Sequence, residues 1–352
     1  MGKTLRRNKL VSKVVASTKR CSACKLDISC KDFSKHRSTP DGLHNQCKAC
    51  GKKSGMKHRN TEHGFMYNMW KTAKSSNKER NEKGRRHEFT LTVDQMKAKW
   101  IQQKGLCAIT GVRMVLKPHS HWKCSIERIQ NAMGYTDGNT ILICMELNTP
   151  SQWTNAKAAY LFAHTVHNPV DLRDDLQPPR RPNKGTITLK KWPILENNTV
   201  LCHFCDETKD LEQFYKSCLH RGCKDCSKIK TAARINSWWG ALYNLHGHAI
   251  QNSKQRGMEC PLKLEELKQI LLDQKGLCYY SGVPMSPMLG DYRMSLERVN
   301  VLDTYTCTNS VLCVKEFNSM DNTRIKTEFS NDGNSGWSNS KYLHAQRTFN
   351  NK

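Results

Sequence analysis

Apolar and polar positions alternate along KCSIERI at 123–129, the period of a strand with one buried face. TILIC at 140–144 is a short β-branched run that predicts a second strand, and NAMGYTDGN between the two supplies a turn. The period then changes, and MELNTPSQWTNAKAAYLFAHTV at 145–166 leads into a helix. Upstream, TVDQMKAKW starts with Thr92 and Gln95 three apart, the spacing of a capping box. KLEELKQILLDQ at 263–274 places Leu264, Leu267, Leu271 and Leu272 on one helical face, which predicts core packing. NPVDLRDDLQPPRRPNKG at 168–185 is proline-rich without periodicity and reads as a linker.

The chain then says most of this twice. QKGLC occurs at 103–107 and again at 274–278, and CSIERI at 124–129 returns as MSLERV at 294–299. YTDGNTILICMELN at 135–148 returns without a gap as YTCTNSVLCVKEFN at 305–318. Landmarks in the same order indicate two homologous halves. The expected class is α+β. The organisation is a basic arm at 1–20, a first half at 21–168, a linker at 169–200, a second half at 201–330 and a C-terminal tail at 331–352.

Composition narrows the partner. Lys and Arg number 57 against 31 Asp and Glu, a formal net charge of +26 spread along the whole chain. Self-repulsion of that size is most simply offset by a polyanion, and the expected partner is a nucleic acid. No run of 18 apolar residues occurs, so no membrane span is expected. The basic N-terminus lacks the apolar core of a secretory signal and reads as an arm for phosphates. The 17 cysteines point to metal in a reducing intracellular compartment, the nucleus or another DNA-containing one, organelles included.

Eight of those cysteines form Cys-x-x-Cys pairs. Cys21 and Cys24 precede Cys47 and Cys50; Cys202 and Cys205 precede Cys223 and Cys226. A phenylalanine, Phe33 or Phe214, stands nine residues past the second Cys in each copy. Two thiolates per turn and two turns per site predict two structural Zn²⁺ ions.

The strand–turn–strand–helix unit can hold a divalent ion between the end of its first strand and the start of its helix. Glu127 and Asn148 stand at those places, and Glu297 and Asn318 repeat them at the same separation of 21. Hard oxygen ligands facing a phosphate favour Mg²⁺, or Mn²⁺ in its place.

Each half resembles the HNH, or ββα-metal, endonucleases, nearest to their zinc-containing PacI-like branch. The residues that carry the resemblance are Glu127-Arg128, Gly134-Tyr135, Asn139 and Asn148, over about 21–50, 85–150, 202–226 and 256–320. It implies that the partner is double-stranded DNA and that the acidic residue and the terminal Asn ligate the catalytic metal. It also implies that Asn139 and Asn309 brace the turn, and that Arg128 and Arg298 contact the scissile phosphate. Three departures stand out. The acidic residue is Glu rather than Asp, followed by Arg as in that branch and not by the histidine base usual in the wider family. The positions of a second knuckle read Cys107, Thr110, Cys144, Leu147 and Cys278, Ser281, Val314, Phe317, which cannot bind zinc and should pack as core. The second turn, NVLDTYTCTN, has Thr304 where the first has Gly134.

Arginine stays protonated and cannot be the base. Tyr135 and Tyr305 are the duplicated candidates for that role; the alternative is that each stacks in the turn or bonds a phosphate. His119 and His121 have no counterpart in the second half and read as loop histidines. Two sites in one chain suit a monomer acting as a pseudo-dimer, a homing or restriction endonuclease whose diverged halves read an asymmetric or pseudo-palindromic site. The alternatives are a DNA-binding protein that has lost cleavage and a single-site nickase.

Overall fold

The computed structural model describes residues 17–149, 153–163, 166–172, 176–177, 197–215, 219, 222–300, 302–318 and 336–352. The basic arm up to residue 16 and the linker from 178 to 196 lie outside the described residues. The architecture is mixed α and β: eight α-helices and ten short strands among the described residues, the strands in five two-stranded antiparallel sheets.

The first half runs β1 (Thr18–Arg20), β2 (Asp27–Ser29), β3 (Phe33–Lys35), β4 (Leu43–Cys47), α1 (Lys48–Arg59), α2 (Glu62–Glu82), α3 (Val93–Gln102), β5 (Cys124–Arg128), β6 (Thr140–Cys144) and α4 (Asn155–Phe162). The second repeats the order with β7 (Thr199–Cys202), β8 (Glu207–Asp210), α5 (Lys224–Ile235), α6 (Trp238–Gln255), α7 (Leu264–Asp273), β9 (Met294–Arg298), β10 (Ser310–Val314) and α8 (Asn339–Asn350). An isolated bridge, Phe214 to Cys223, takes the place of the β3–β4 pair. The two hairpins share one register: Cys124 faces Cys144 and Arg128 faces Thr140, as Met294 faces Val314 and Arg298 faces Ser310.

Local chemistry sets the helix starts. Thr92 accepts from the Gln95 backbone N–H while the Gln95 side chain accepts from that of Thr92, which closes the capping box of α3. Thr61 and Ser237 cap α2 and α6 by accepting from Gly64 and Gly240. Those glycines are needed for contact, since a Cβ would fall 2.0 Å from the His58 carbonyl oxygen and 1.7 Å from that of Arg234. The apolar face of α7 is narrower than its sequence suggests. Leu267 and Leu271 are fully buried, but Leu272, a further 100° round the helix, is exposed.

One core serves both halves, and the helices are exchanged to build it. Lys157 on α4 pairs with Glu316 after β10 at 3.4 Å, and Lys341 on α8 pairs with Glu146 after β6 at 2.7 Å. Trp153 stacks on Trp337 at 6.0 Å, with Phe162 and Phe317 against both. The segment read as a C-terminal tail therefore carries α8; Trp337 just before the helix and Tyr342 on it hydrogen-bond to the Glu146 and Leu161 carbonyls of the first half. Sequence reading missed it because WSNSK at 337–341 matches WTNAK at 153–157 over only five residues.

Candidate functional site

In each zinc motif the four sulfur atoms lie within 4.8 Å of one another, which fits a tetrahedral ion with Zn–S bonds of about 2.3 Å. Backbone N–H groups point at the sulfurs: Cys47 to Cys21 Sγ at 3.3 Å, and Cys223 to Cys202 Sγ at 3.2 Å. The N–H groups of Cys47 and Cys24 pull the Cys21 thiol down to about 6. Burial pushes the Cys202 thiol up, but the N–H groups of Cys223, Phe204 and Cys205 outweigh it and bring it to about 6. Both quartets could hold a structural zinc ion.

The hairpin positions that cannot complete a further knuckle pack in the core. Cys107, Thr110, Cys144 and Leu147 are buried, as are Cys278, Val314 and Phe317, with Ser281 half-buried. The Cys144 N–H still points at Cys107 Sγ, and the Val314 N–H at Cys278 Sγ, both at 3.4 Å.

Both hairpins carry a braced turn. Asn139 donates to the Gln130 and Gly134 carbonyls and accepts from the Gln130 N–H; Asn309 does the same with Asn300 and Thr304. Gly134 packs so closely on Glu88 that a Cβ would fall 1.7 Å from the Glu88 carbonyl oxygen. Thr304 meets the loss of that glycine by donating its hydroxyl to the equivalent carbonyl, Glu259.

Past each second strand an asparagine folds back onto the first. Asn148 Nδ2 donates to Ser125 Oγ at 2.7 Å and the Ile126 carbonyl at 3.1 Å; Asn318 repeats this with Ser295 and Leu296. With the nitrogen spent on the strand, the amide oxygen is the arm suited to a cation. Asn148 lines a cavity of 490 Å³ between α2 and β5, with Arg59, Arg80, His119, Lys123 and Tyr135 also in its wall. Burial raises the Glu127 carboxyl above its ordinary range, and the charges of Arg128 and Arg80 oppose that rise.

The second glutamate differs. Glu297 is fully buried and accepts from the Tyr280 hydroxyl at 2.9 Å and the Cys313 thiol at 3.3 Å. The first half has Ile109 and Ile143 at the matching places, so nothing there claims its glutamate in that way.

Arg128 points into its own turn. Its guanidinium donates to the Asn131 and Met133 carbonyls at 2.8 and 2.9 Å, contacts His87 Nδ1 at 3.2 Å and lies over the Tyr135 ring at 5.3 Å. Arg298 donates to the Asp303 carbonyl and lies over Tyr305 at 5.2 Å. Burial, then the charges of Arg128, Arg85 and Arg80, lower the His87 imidazole. His119 is exposed on the cavity wall, while His121 is buried.

Sequence reading passed over Arg80 and the match between its helix and α6. A signal was present: TEHGFMYNMWKTAKSSNKER at 61–80 aligns without a gap to SWWGALYNLHGHAIQNSKQR at 237–256. The alignment equates Arg80 with Arg256 and Trp70 with His246, which bond the equivalent Leu91 and Leu262 carbonyls. Comparison of the chain with family models, curated proteins and solved structures returned no match.

Proposed function

We propose that the protein is a DNA endonuclease of the ββα-metal kind, its two halves forming a pseudo-dimer in one chain. The observation that carries the reading is the repeated hairpin, in which a strand-docked asparagine and a braced turn frame a glutamate, with a basic cavity beside it in the first half. In the first half Glu127 and Asn148 would hold one Mg²⁺ or Mn²⁺. Such an ion supplies charge stabilisation for the scissile phosphate and its leaving oxygen. Arg128 holds the turn, and Tyr135 lines the cavity, where its phenolate form would accept the proton of an attacking water. The net charge of +26 supplies salt-sensitive phosphate contacts along duplex DNA.

One observation favours a second reading. Because Tyr280 and Cys313 hold Glu297 in the core, the second half is the weaker metal site, and a single-site nickase follows.

Supercoiled plasmid with Mg²⁺ separates the readings. A two-site enzyme yields linear DNA, and Glu127→Ala and Glu297→Ala each convert the product to nicked circles. A nickase yields nicked circles that vanish with Glu127→Ala alone. Intact plasmid, with duplex binding retained, marks a DNA-binding protein and overturns both readings. Tyr135→Phe at undiminished rate removes the tyrosine from the chemistry.

A further inference from the structure

We infer that the side chain gripping the scissile phosphate is Arg80 in the first half, with Arg256 in its place in the second, and not the arginine that follows each glutamate. The inference rests on the nuclease reading and assigns the phosphate contact of that same site.

Arg128 is unsuited to the task by its bonding. An arginine grips a phosphate with two parallel N–H groups of its fork. Both terminal nitrogens of Arg128 are engaged inside the turn, Nη1 with the Asn131 and Met133 carbonyls and Nη2 with Asn131 Oδ1 at 3.0 Å. Reaching outward would give up all three of these bonds and release the turn that presents Glu127. Arg298 is buried to the same degree and donates to the Asp303 carbonyl.

Arg80 has the position that Arg128 lacks. It is half-buried near the C-terminal end of α2, in the wall of the cavity that also holds Asn148, His119 and Lys123. Its Nη1 lies 3.5 Å from the Tyr135 hydroxyl, and its charge reaches the Glu127 carboxyl. One guanidinium is thus beside the candidate proton acceptor and within charge range of the candidate metal ligand.

The helix is built for a polar ligand on that face. Asn68, Thr72, Ser76 and Arg80 recur every four residues, and all line the cavity. At the matching positions α6 has Asn244, His248, Asn252 and Arg256. The stripe is polar in both halves, with Asn and Arg kept at its two ends and different polar side chains at the two positions between. Arg80 and Arg128 both lie over the Tyr135 ring, at 5.9 and 5.3 Å, and Arg298 keeps the second of these places over Tyr305 at 5.2 Å.

The test uses the full-length protein, a duplex oligonucleotide containing a cleavage site selected from a random library, and Mg²⁺. Two readouts are taken: the single-turnover cleavage rate, and duplex affinity against salt concentration without divalent metal. Arg80→Ala is expected to lower the rate by about 100-fold or more, as losing one transition-state donor does. It should also reduce the slope of log K against log salt by about 0.9, the loss of one phosphate contact. Arg80→Lys should keep the slope and recover part of the rate. Arg128→Ala should lower the melting temperature and leave the slope unchanged. An Arg80→Ala protein with wild-type rate and slope overturns the inference and leaves the nuclease reading intact. Wild-type protein that binds DNA but never cuts overturns the nuclease reading, and the slope alone then decides Arg80. Wild-type protein that neither binds nor cuts overturns both.

Discussion

Lys341 lies 2.7 Å from the Glu146 carboxylate across 195 residues of chain, and Lys157 meets Glu316 in the opposite sense. All four groups are almost wholly withdrawn from water. Breaking a buried pair by removing one partner leaves an uncompensated charge, a loss of about 3–5 kcal/mol. Lys341→Met should destabilise by that amount in urea denaturation, and adding Glu146→Gln should restore part of it. Because the exchanged helices tie the halves together, wild-type protein should unfold its core in one transition. Two resolved transitions, one per half, would refute the exchange as an energetic link.

The cysteine quartets stand outside that core. Each is surrounded by a small cluster of its own, Cys21, Phe33 and Cys47 in one and Val200, Cys202, Phe214 and Cys223 in the other. Clusters of that size are too small to fold unaided, and zinc bound by the four thiolates would supply the folding energy. Elemental analysis should find two zinc ions per chain, and Cys50→Ala should leave one. Hydrogen exchange in that variant should lose protection over 18–47 while β5 and β6 keep theirs.

The two turns should respond differently to substitution at equivalent places. Gly134→Ala forces a Cβ against the Glu88 carbonyl oxygen and should cost at least as much as an ordinary core substitution, about 1–3 kcal/mol. Thr304→Gly removes only one hydroxyl bond to Glu259 and should cost about 0.5–1.5 kcal/mol. Equal melting temperatures for the two variants would show that the turns are not built as described.

The raised Glu127 carboxyl links stability to pH and to metal. A carboxyl raised by folding favours the folded state while protonated. Its contribution is fully present below the unfolded value near about 4.3 and is lost as pH rises through the folded value. Metal ligation needs the charged form. Stabilisation by Mn²⁺ should therefore be absent at the acid end and grow as pH rises through the raised value. Thermal melts with and without Mn²⁺, each compared with Glu127→Gln, isolate this group from acid release of zinc. A Mn²⁺ effect independent of pH, or unchanged in Glu127→Gln, would remove Glu127 from the metal site.

Much of the candidate site was legible because it is local. The hairpin strands, the turn between them, the capping box and the cysteine pairs each depend on spacings that a reader can count. Arg80 was harder to see. Its significance comes from the approach of α2 to β5, and nothing within reach of Tyr135 in sequence announces it. The orientation of Arg128 was likewise invisible, since Glu-Arg beside a turn reads the same whether the guanidinium faces out or in.

The sequence alone determined the duplication, the two cysteine quartets, the strands of each hairpin and the basic charge, because periodicity and ligand spacing are properties of neighbouring residues. Tertiary structure alone decided which half each helix serves and what each charged side chain meets. Lys157 and Lys341 could have paired within their own halves or across them. Trp153 packing on Trp337 brings each lysine to the other half's glutamate. Glu127 and Glu297 occupy equivalent places, yet Tyr280 and Cys313 hold the second in the core where Ile109 and Ile143 offer the first no bond. A buried carboxylate goes where its donors are, and those donors come from distant parts of the chain.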